Sequence, residues 1–524
     1  MELTSHGVPL LWLTRQGAGV AQTGQASWRS GPALPDTVGR LHAAWDWDGS
    51  TLNANVDRHG FHSLFVYQKG DELGISPSLL ALVAAGADTT PDTRALAVFH
   101  RIGVFINDDT PLKHIRTLPP NGRLTWQGGA AQISGDVVMP KAQTITRADA
   151  VDGMTHYFRQ SMQRVLSAWD GPLFLPLSGG RDSRHILLEM LHQGRQPQAC
   201  VTFHHNGAAM NGEALAARAI ATRAGVAHDV LGHARPRLAD ALRAVLMTSL
   251  CSDEHAQMMP LHDYMMAAGG ASFDGVAGDI LTNPDDDAEA FFRLAEKDDF
   301  TGIARGLTSG HARVISEGVW GQGAGPILSP GQDDEVHEYI ASAVRKYANA
   351  PDPYQMFWMY HRTRREINFV PQAILSPASP VFCPYLDRDF ADFCLSLPYS
   401  VTRDQLLHDD VIATAYPDFA DIPFAAGFPA PAARSGGVMH KLRSVADVMR
   451  ITASLGAEAR QHRRAFLRPP PQLKRGPDTM LRLHTLCLDG LDAARATQLL
   501  DIAAQLEAAR PKQLVSDAIP SGGA

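Results

Sequence analysis

Ser178, Gly179, Gly180, Asp182 and Ser183 fall within one six-residue stretch, and this set of side chains suits a polyanion held together with a divalent cation. Two adjacent glycines let the backbone come close to a ligand, and N–H groups at a helix start favour negative charge. Two serines add hydroxyl donors. An aspartate inside an anion site is accounted for when a divalent cation sits between it and phosphate oxygens. No G-x-x-x-x-G-K-[ST] run spans the stretch, so it is not a Walker A loop. A serine–glycine turn ahead of an ordinary helix is the plain alternative.

The flanking residues supply the elements that position this loop. Leu173, Phe174, Leu175 and Leu177 form a short apolar run that reads as a buried parallel strand. Ile186, Leu187, Met190 and Leu191 recur at helical spacing, with Gly194 as a stop. Ala199–Phe203 is a second strand, Asn211–Ala224 an alanine-rich helix ended by Gly225, and His228–Leu231 a third strand. Strand–helix–strand–helix–strand predicts a parallel sheet with right-handed crossovers. A helix from about Thr146 to Trp169, N-capped by Thr146, leads into this unit.

A second chemical segment, SFDGVAGDILTNP, runs from Ser272 to Pro284. Asp279 is a natural partner of Asp182 for Mg²⁺, one carboxylate from each of two strand ends with phosphate oxygens and water completing the octahedron. An aspartate after glycine is also a common turn residue.

Composition bounds the rest. The chain has 524 residues, enough for two or three domains, with 45% hydrophobic and 19% charged residues. A net charge of −8 argues against bulk nucleic-acid binding. No apolar run approaches a membrane span, and the N-terminus lacks a basic start and a long apolar stretch. Cys200, Cys251, Cys383, Cys394 and Cys487 are scattered and odd in number, which fits a reducing, cytoplasmic setting. Residues 1–140 read as β-rich, with stacked antiparallel sheets and short helices near Ser78–Ala85 and Asp92–Arg101. His408–Phe424 reads as a helix before a Pro-bounded turn, and the chain after Val438 reads as mostly helical, ending in a disordered SGGA.

The loop PLSGGRDS resembles the S-G-G-x-D-S pyrophosphate loop of the N-type ATP pyrophosphatases, and within that group the chain is similar to the asparagine synthetase family. Arg181 stands where the family usually has leucine and Arg184 where it has serine; these guanidiniums either help hold pyrophosphate or are exposed helix-start charges. SFDGVAGD resembles the family's S-G-x-G-x-D: Gly275 and Asp279 match, and Asp274, Ala277 and Ile280 depart. VDRHGFHSLFVY, GISPSLLALV and IRTLPPNGRLTW, all before residue 127, are similar to segments of the family's glutamine-hydrolysing half. FCPYLDRDFADFCLSLP, from Phe382 to Pro398, is similar to the family's V-P-F-L-D-x-x-F segment and is expected as a helix beneath the site.

The resemblance implies an α/β chain in three parts. Residues 1–140 would be an N-terminal-nucleophile-hydrolase-like αββα sandwich, residues 146–424 an adenine-nucleotide α-hydrolase-like synthetase domain, and residues 425–524 its helical extension. The family's glutaminase uses an N-terminal cysteine, whereas this chain opens Met1-Glu2-Leu3 and its first cysteine is Cys200. The sandwich is therefore expected to lack glutaminase activity. That loss is shared with β-lactam synthetases and with the macrolactam synthetases of lasso peptides. The implied nucleotide ligands are Ser178, Gly179, Gly180, Arg181, Asp182, Ser183, Gly275 and Val201, the last where a strand end cups adenine. Glu213 takes the place of a family glutamate, or is a first-turn acid favoured by the helix dipole. ATP and Mg²⁺ are the implied cofactors, with Asp182 and Asp279 on the metal.

Family members carry a proton-transferring residue where this chain has Val276, which cannot serve. Glu366 and His361 are candidate catalytic residues in the run Tyr360–Glu366, which otherwise reads as a solvated charged helix face. Lys441 is the nearest lysine for the role a family lysine plays in stabilising the transition states. The leading expectation is an AMP- and pyrophosphate-forming amide synthetase, closest in kind to lasso peptide macrolactam synthetases. Its partners would be a carboxylate/amine substrate, a precursor peptide and its leader protease, with neither nucleic acid nor a membrane span. A small-molecule amide or β-lactam synthetase, an ammonia-dependent asparagine synthetase, and a degraded nucleotide-binding or regulatory protein are the alternatives.

Overall fold

The computed structural model describes residues 7–17, 19–35, 38–204, 212–233, 235, 237–283, 287–309, 332–375, 380–428, 446, 449 and 477–508. The first ten strands are β1 (Leu11–Gln16), β2 (Gly19–Gly24), β3 (Ser27–Arg29), β4 (Ala43–Trp47), β5 (Thr51–Val56), β6 (Phe65–Lys69), β7 (Glu72–Ser76), β8 (Ile115–Thr117), β9 (Arg123–Gln127) and β10 (Ala130–Ser134). They make two five-stranded antiparallel sheets, ordered β2-β1-β7-β6-β8 and β10-β9-β5-β4-β3. Alternation sorts their side chains by face. Leu11, Leu13, Leu73 and Ile75 of the first sheet share one core with Trp45, Leu52, Leu124 and Trp126 of the second. The other face of the first sheet, with Trp12, Phe65 and Tyr67, packs with α1 (Leu79–Ala84) and α2 (Thr93–Ile102). Ser78 and Asp92 cap these helices by accepting the Ala81 and Ala95 N–H groups.

The second sheet leaves its outer face open. Asn53, Asn55, Arg123, Thr125 and Gln127 are exposed there, and among the described residues no helix covers them. Two stacked sheets and one helical layer of the expected αββα sandwich are thus formed by the described residues.

The remaining strands, β11 (Leu173–Pro176), β12 (Ala199–Phe203), β13 (His228–Leu231), β14 (Ala271–Phe273) and β15 (Val381–Phe382), form a parallel sheet ordered β13-β12-β11-β14-β15. The chain leaves β11 toward β12 and β13, then returns to place β14 and β15 on the other side. The strand order therefore switches between β11 and β14, and in open α/β sheets ligands bind outside the carboxyl ends of the strands at such a point. The expected helices are present: α3 (Arg147–Ala168), with Asp149 N–H donating to Thr146 Oγ1 at 3.2 Å; α4 (Arg181–His192); and α5 (Gly212–Ala224). Gly194 and Gly225 follow α4 and α5 at φ 72° and 67°, the left-handed region where glycine is favoured. Three further helices are α6 (Arg237–Met247), α7 (Met259–Ala268) and α8 (Gly278–Thr282). No described helix is long and apolar enough to cross a membrane.

Two expectations change. Phe382–Pro398 is not one helix: β15 ends at Phe382, a tight turn spans Pro384–Leu386, and a helix begins at Arg388. Pro384 lacks an N–H, and Asp387 accepts the Asp389 and Phe390 N–H groups, which fixes the start. The run Tyr360–Glu366 is not a solvated face. An α-helix at Pro353–Trp358 continues as a π-helix at Met359–Ile367, in which Tyr360, His361, Thr363, Arg364, Arg365 and Glu366 are buried. Arg364 donates to Gly60 O at 3.1 Å and Leu118 O at 2.7 Å, Arg365 to Asp109 O at 2.5 Å, and Asn368 Nδ2 to Phe61 O at 2.6 Å. These carbonyls belong to loops of the N-terminal sheets, so the charged face is covered by a distant part of the chain.

Asp352 caps this helical run by accepting the Gln355 N–H at 3.0 Å, and burial pushes its pKa up to about 6. A carboxyl raised in this way binds its proton more tightly folded than unfolded. Its destabilising effect is absent below about pH 4 and complete above about pH 6. Asp352→Asn keeps the cap and removes the charge. It should raise stability by about 1–3 kcal/mol at pH 7 and leave it unchanged near pH 4, measured by urea unfolding at the two pH values; an equal gain at both would refute the assignment.

Candidate functional site

The loop after β11 and the segment after β14 meet at the switch point. Ser178 N–H donates to Ser183 Oγ at 3.0 Å, the two hydroxyls lie 3.1 Å apart, and Gly180 N–H donates to Ser178 Oγ at 3.2 Å. Gly180 then caps α4 without a side-chain hydrogen bond, so no capping side chain offsets the positive end formed by the first-turn N–H groups. Gly179 is tightly enclosed. A Cβ there would lie 2.7 Å from Glu213 Cα and 2.6 Å from Ala425 Cβ, and its carbonyl accepts Ala425 N–H at 3.0 Å. Glycine is therefore required for α5 and the turn at Ala425–Gly427 to cross the loop.

Asp182 packs against the second segment. A Cβ on Gly275 would lie 2.7 Å from Asp182 Cβ, and one on Gly278 would lie 2.5 Å from Asp182 Cγ. Asp182 Oδ1 is enclosed and accepts no hydrogen bond. Burial raises the Asp182 pKa well above the usual carboxylate range, and the nearby Asp279 and Asp274 add to this. Burial also pushes Asp274 up to about 6, although Asp274 Oδ1 accepts Val276 N–H at 2.7 Å. Asp279 and Asp274 are thus near enough to act on the Asp182 charge, and one buried oxygen of Asp182 has no donor. That arrangement fits a divalent cation held by Asp182 and Asp279, with a ligand's oxygens completing its shell.

Other expected residues fall as follows. Arg184 is not an exposed helix-start charge: its guanidinium donates to Ile422 O at 2.7 Å and Pro423 O at 2.8 Å and stacks 4.0 Å over Phe424. Arg181 pairs with Asp409, Nη2 to Oδ2 being 3.1 Å, and keeps partial exposure beside the loop. Val201 is a buried β12 residue whose carbonyl accepts Leu177 N–H. Glu213 is half-buried in the first turn of α5, and burial raises its pKa. His361 is buried with Nδ1 accepting Asn107 N–H at 3.0 Å, at the contact with the N-terminal unit. Lys441, the terminal SGGA and residues 205–211 lie outside the described residues.

Glu366 belongs to a group that no spacing announced. Its Oε1 is 2.8 Å from His255 Nε2 and accepts Ser252 Oγ–H at 2.9 Å, while Oε2 is buried without a hydrogen bond. Glu254 lies close enough to share a ligand with this pair. Burial opposes the Glu366 carboxylate, but His255, Arg362 and Ser252 together outweigh it and the Glu366 pKa is lowered; burial likewise opposes the His255 cation, but Glu366 and Glu254 outweigh it and the His255 pKa is raised. His255 also acts electrostatically on Asp274, which links this pair to the end of β14. All five cysteines are buried, and burial pushes the thiols of Cys200, Cys251 and Cys487 up to about 12, so none is a ready thiolate.

Ala277 holds φ 73°, a conformation that suits glycine. Ala277→Gly should relieve about 1–2 kcal/mol of left-handed strain, against about 0.4–1 kcal/mol of added unfolded-chain entropy. A small net gain is expected in a urea midpoint, and a loss would show that the methyl contributes packing instead.

No protein-family model matches the chain, and no curated protein matches it.

Proposed function

We propose that this protein is an ATP-dependent, AMP- and pyrophosphate-forming amide synthetase of the asparagine synthetase type. The observation that carries the reading is the convergence, at the β11/β14 switch point, of a glycine–serine loop at a helix N-terminus and a glycine cradle around Asp182, whose inner oxygen is buried without a donor. On this reading the parallel-sheet unit is an adenine-nucleotide α-hydrolase-like domain within residues 146–424, extended by 425–524. The two antiparallel sheets within 1–140 are a relative of the N-terminal-nucleophile hydrolases.

The chemistry follows from that placement. Ser178, Gly179, Gly180 and Ser183 would hold the pyrophosphate end of ATP. Asp182 and Asp279 would hold Mg²⁺, which would neutralise charge building on the phosphate oxygens. A substrate carboxylate oxygen attacks the α-phosphorus and pyrophosphate leaves. An amine nitrogen then attacks the acyl carbon, forming the amide as AMP leaves. The amine's proton goes to Glu366, whose other oxygen is held by His255 and Ser252. Val276, buried at the segment's turn, takes no part in proton transfer.

The substrate class we favour is a peptide closed by an amide between its α-amine and an Asp or Glu side chain. A precursor peptide and its leader protease would be partners, in the cytoplasm. The test is product analysis by chromatography, with MgATP and candidate carboxylate substrates. AMP with pyrophosphate, dependent on one substrate class, is expected. ADP with phosphate would overturn the adenylate chemistry, and ATP binding without turnover on any substrate would favour a regulatory nucleotide-binding protein.

A further inference from the structure

Beneath Asp182 lies a closed set of polar groups that the proposed chemistry does not use. His408, in the helix Leu407–Ala415, is fully buried. Its Nδ1 stands 3.1 Å from Thr282 Oγ1 and 3.5 Å from Asp182 Oδ1. Its Nε2 stands 3.0 Å from His185 Nδ1 and 3.4 Å from the Tyr385 hydroxyl. His185 stacks on Phe158 with ring centroids 3.8 Å apart, so neither imidazole is free to turn.

The partners decide where the protons are. Thr282 spends its single O–H on Gly278 O at 2.7 Å, so toward His408 it is an acceptor, and His408 Nδ1 carries the hydrogen. Tyr385 donates to Asp182 O at 3.0 Å, which leaves His185 Nδ1–H as the donor to a bare His408 Nε2. Every link therefore directs one N–H of His408 toward the pair formed by Thr282 Oγ1 and Asp182 Oδ1. Asp182 Oδ1 is the oxygen left without a hydrogen bond.

We infer that His408 is a positioning residue: its Nδ1–H, shared between Thr282 and Asp182, takes up the inner carboxylate oxygen once Asp182 is ionised and turns the outer oxygen, Oδ2, to the cation. This rests on the reading of Asp182 as a ligand of the metal that accompanies ATP. Groups that orient a ligating side chain change metal affinity by about 10–100-fold when removed.

The test is binding of MnATP, followed as the enhancement of water proton relaxation over a protein-free MnATP reference. Three variants separate orientation from packing. His408→Leu removes the donor. His408→Asn places an amide N–H near the Nδ1 position, whereas His408→Gln places one near Nε2. Thermal unfolding without metal checks that each is folded. Affinity is expected to fall about 10–100-fold in the Leu and Gln variants and to stay within about 3-fold of the parent in the Asn variant. If the Leu variant does not fold, the Asn and Gln variants still decide between the two roles. Equal affinity in Asn and Gln, or an unchanged Leu variant, would overturn the role of His408 while leaving the metal site standing. A parent protein that does not bind Mn²⁺ with ATP would overturn the metal reading itself, and His408's role with it.

Discussion

Replacing Asp182 by asparagine is expected to lower pyrophosphate formation from MgATP by about 10³-fold or more while leaving the ligand-free fold as stable as before, or more so. Both halves follow from one environment. The carboxylate is enclosed by Gly275 and Gly278, faces Asp279 and Asp274, and leaves Oδ1 without a donor. Without a cation its ionised form is opposed by burial and by two like charges, so an isosteric neutral amide relieves the folded chain. On the proposed function the same charge is a ligand once the cation is bound. Its loss removes transition-state charge stabilisation of several kcal/mol, the origin of the rate figure. The measurement pairs product analysis with thermal unfolding at neutral pH without metal. Unchanged pyrophosphate release would sink the assignment of Asp182 to the metal. A large fall in the unfolding temperature would make Asp182 a structural residue instead.

How much of this was legible in the sequence depends on the reach of each interaction. The loop, α4 and the strands around it are written in local terms: an apolar run, glycines at the turn, helical spacing and a glycine stop. The structure forms them where those signals stand. Thr146 as a cap is equally local. Long-range partners are not. The charges of Arg364 and Arg365 read as a solvated face because nothing nearby shows that loops at Gly60, Asp109 and Leu118 supply carbonyls to them. Arg184 offers the same lesson, its acceptors lying 238 and 239 positions away. His255 and Glu366 are 111 apart in sequence. No motif ties them, and only the packing of the segment at Ser252–His255 onto the π-helix makes them a pair.

That pair carries the second large expectation. Glu366→Gln should slow amide formation by about 10²–10⁴-fold, the usual contribution of a placed general base, while substrate-dependent exchange of labelled pyrophosphate into ATP continues. The split matters because the two steps need different groups. On the proposed function, adenylation needs the loop and the cation and no proton acceptor, since the attacking carboxylate has already lost its proton. Amide formation must dispose of a proton from nitrogen, and Val276 offers nothing to receive it. On the proposed function Glu366 receives it: its Oε2 is buried without a hydrogen bond, 4.0 Å from Arg362 Nε, and its other oxygen is fixed by Ser252 and by His255 at 2.8 Å. The glutamine variant keeps shape and volume but cannot take the proton. His255→Gln, which keeps a donor to Oε1, should show a smaller loss of the same kind. Loss of exchange together with amide formation in Glu366→Gln would mean that the residue supports the adenylation site itself. Full amide formation would mean that the amine arrives already deprotonated, and the buried pair would then be structural.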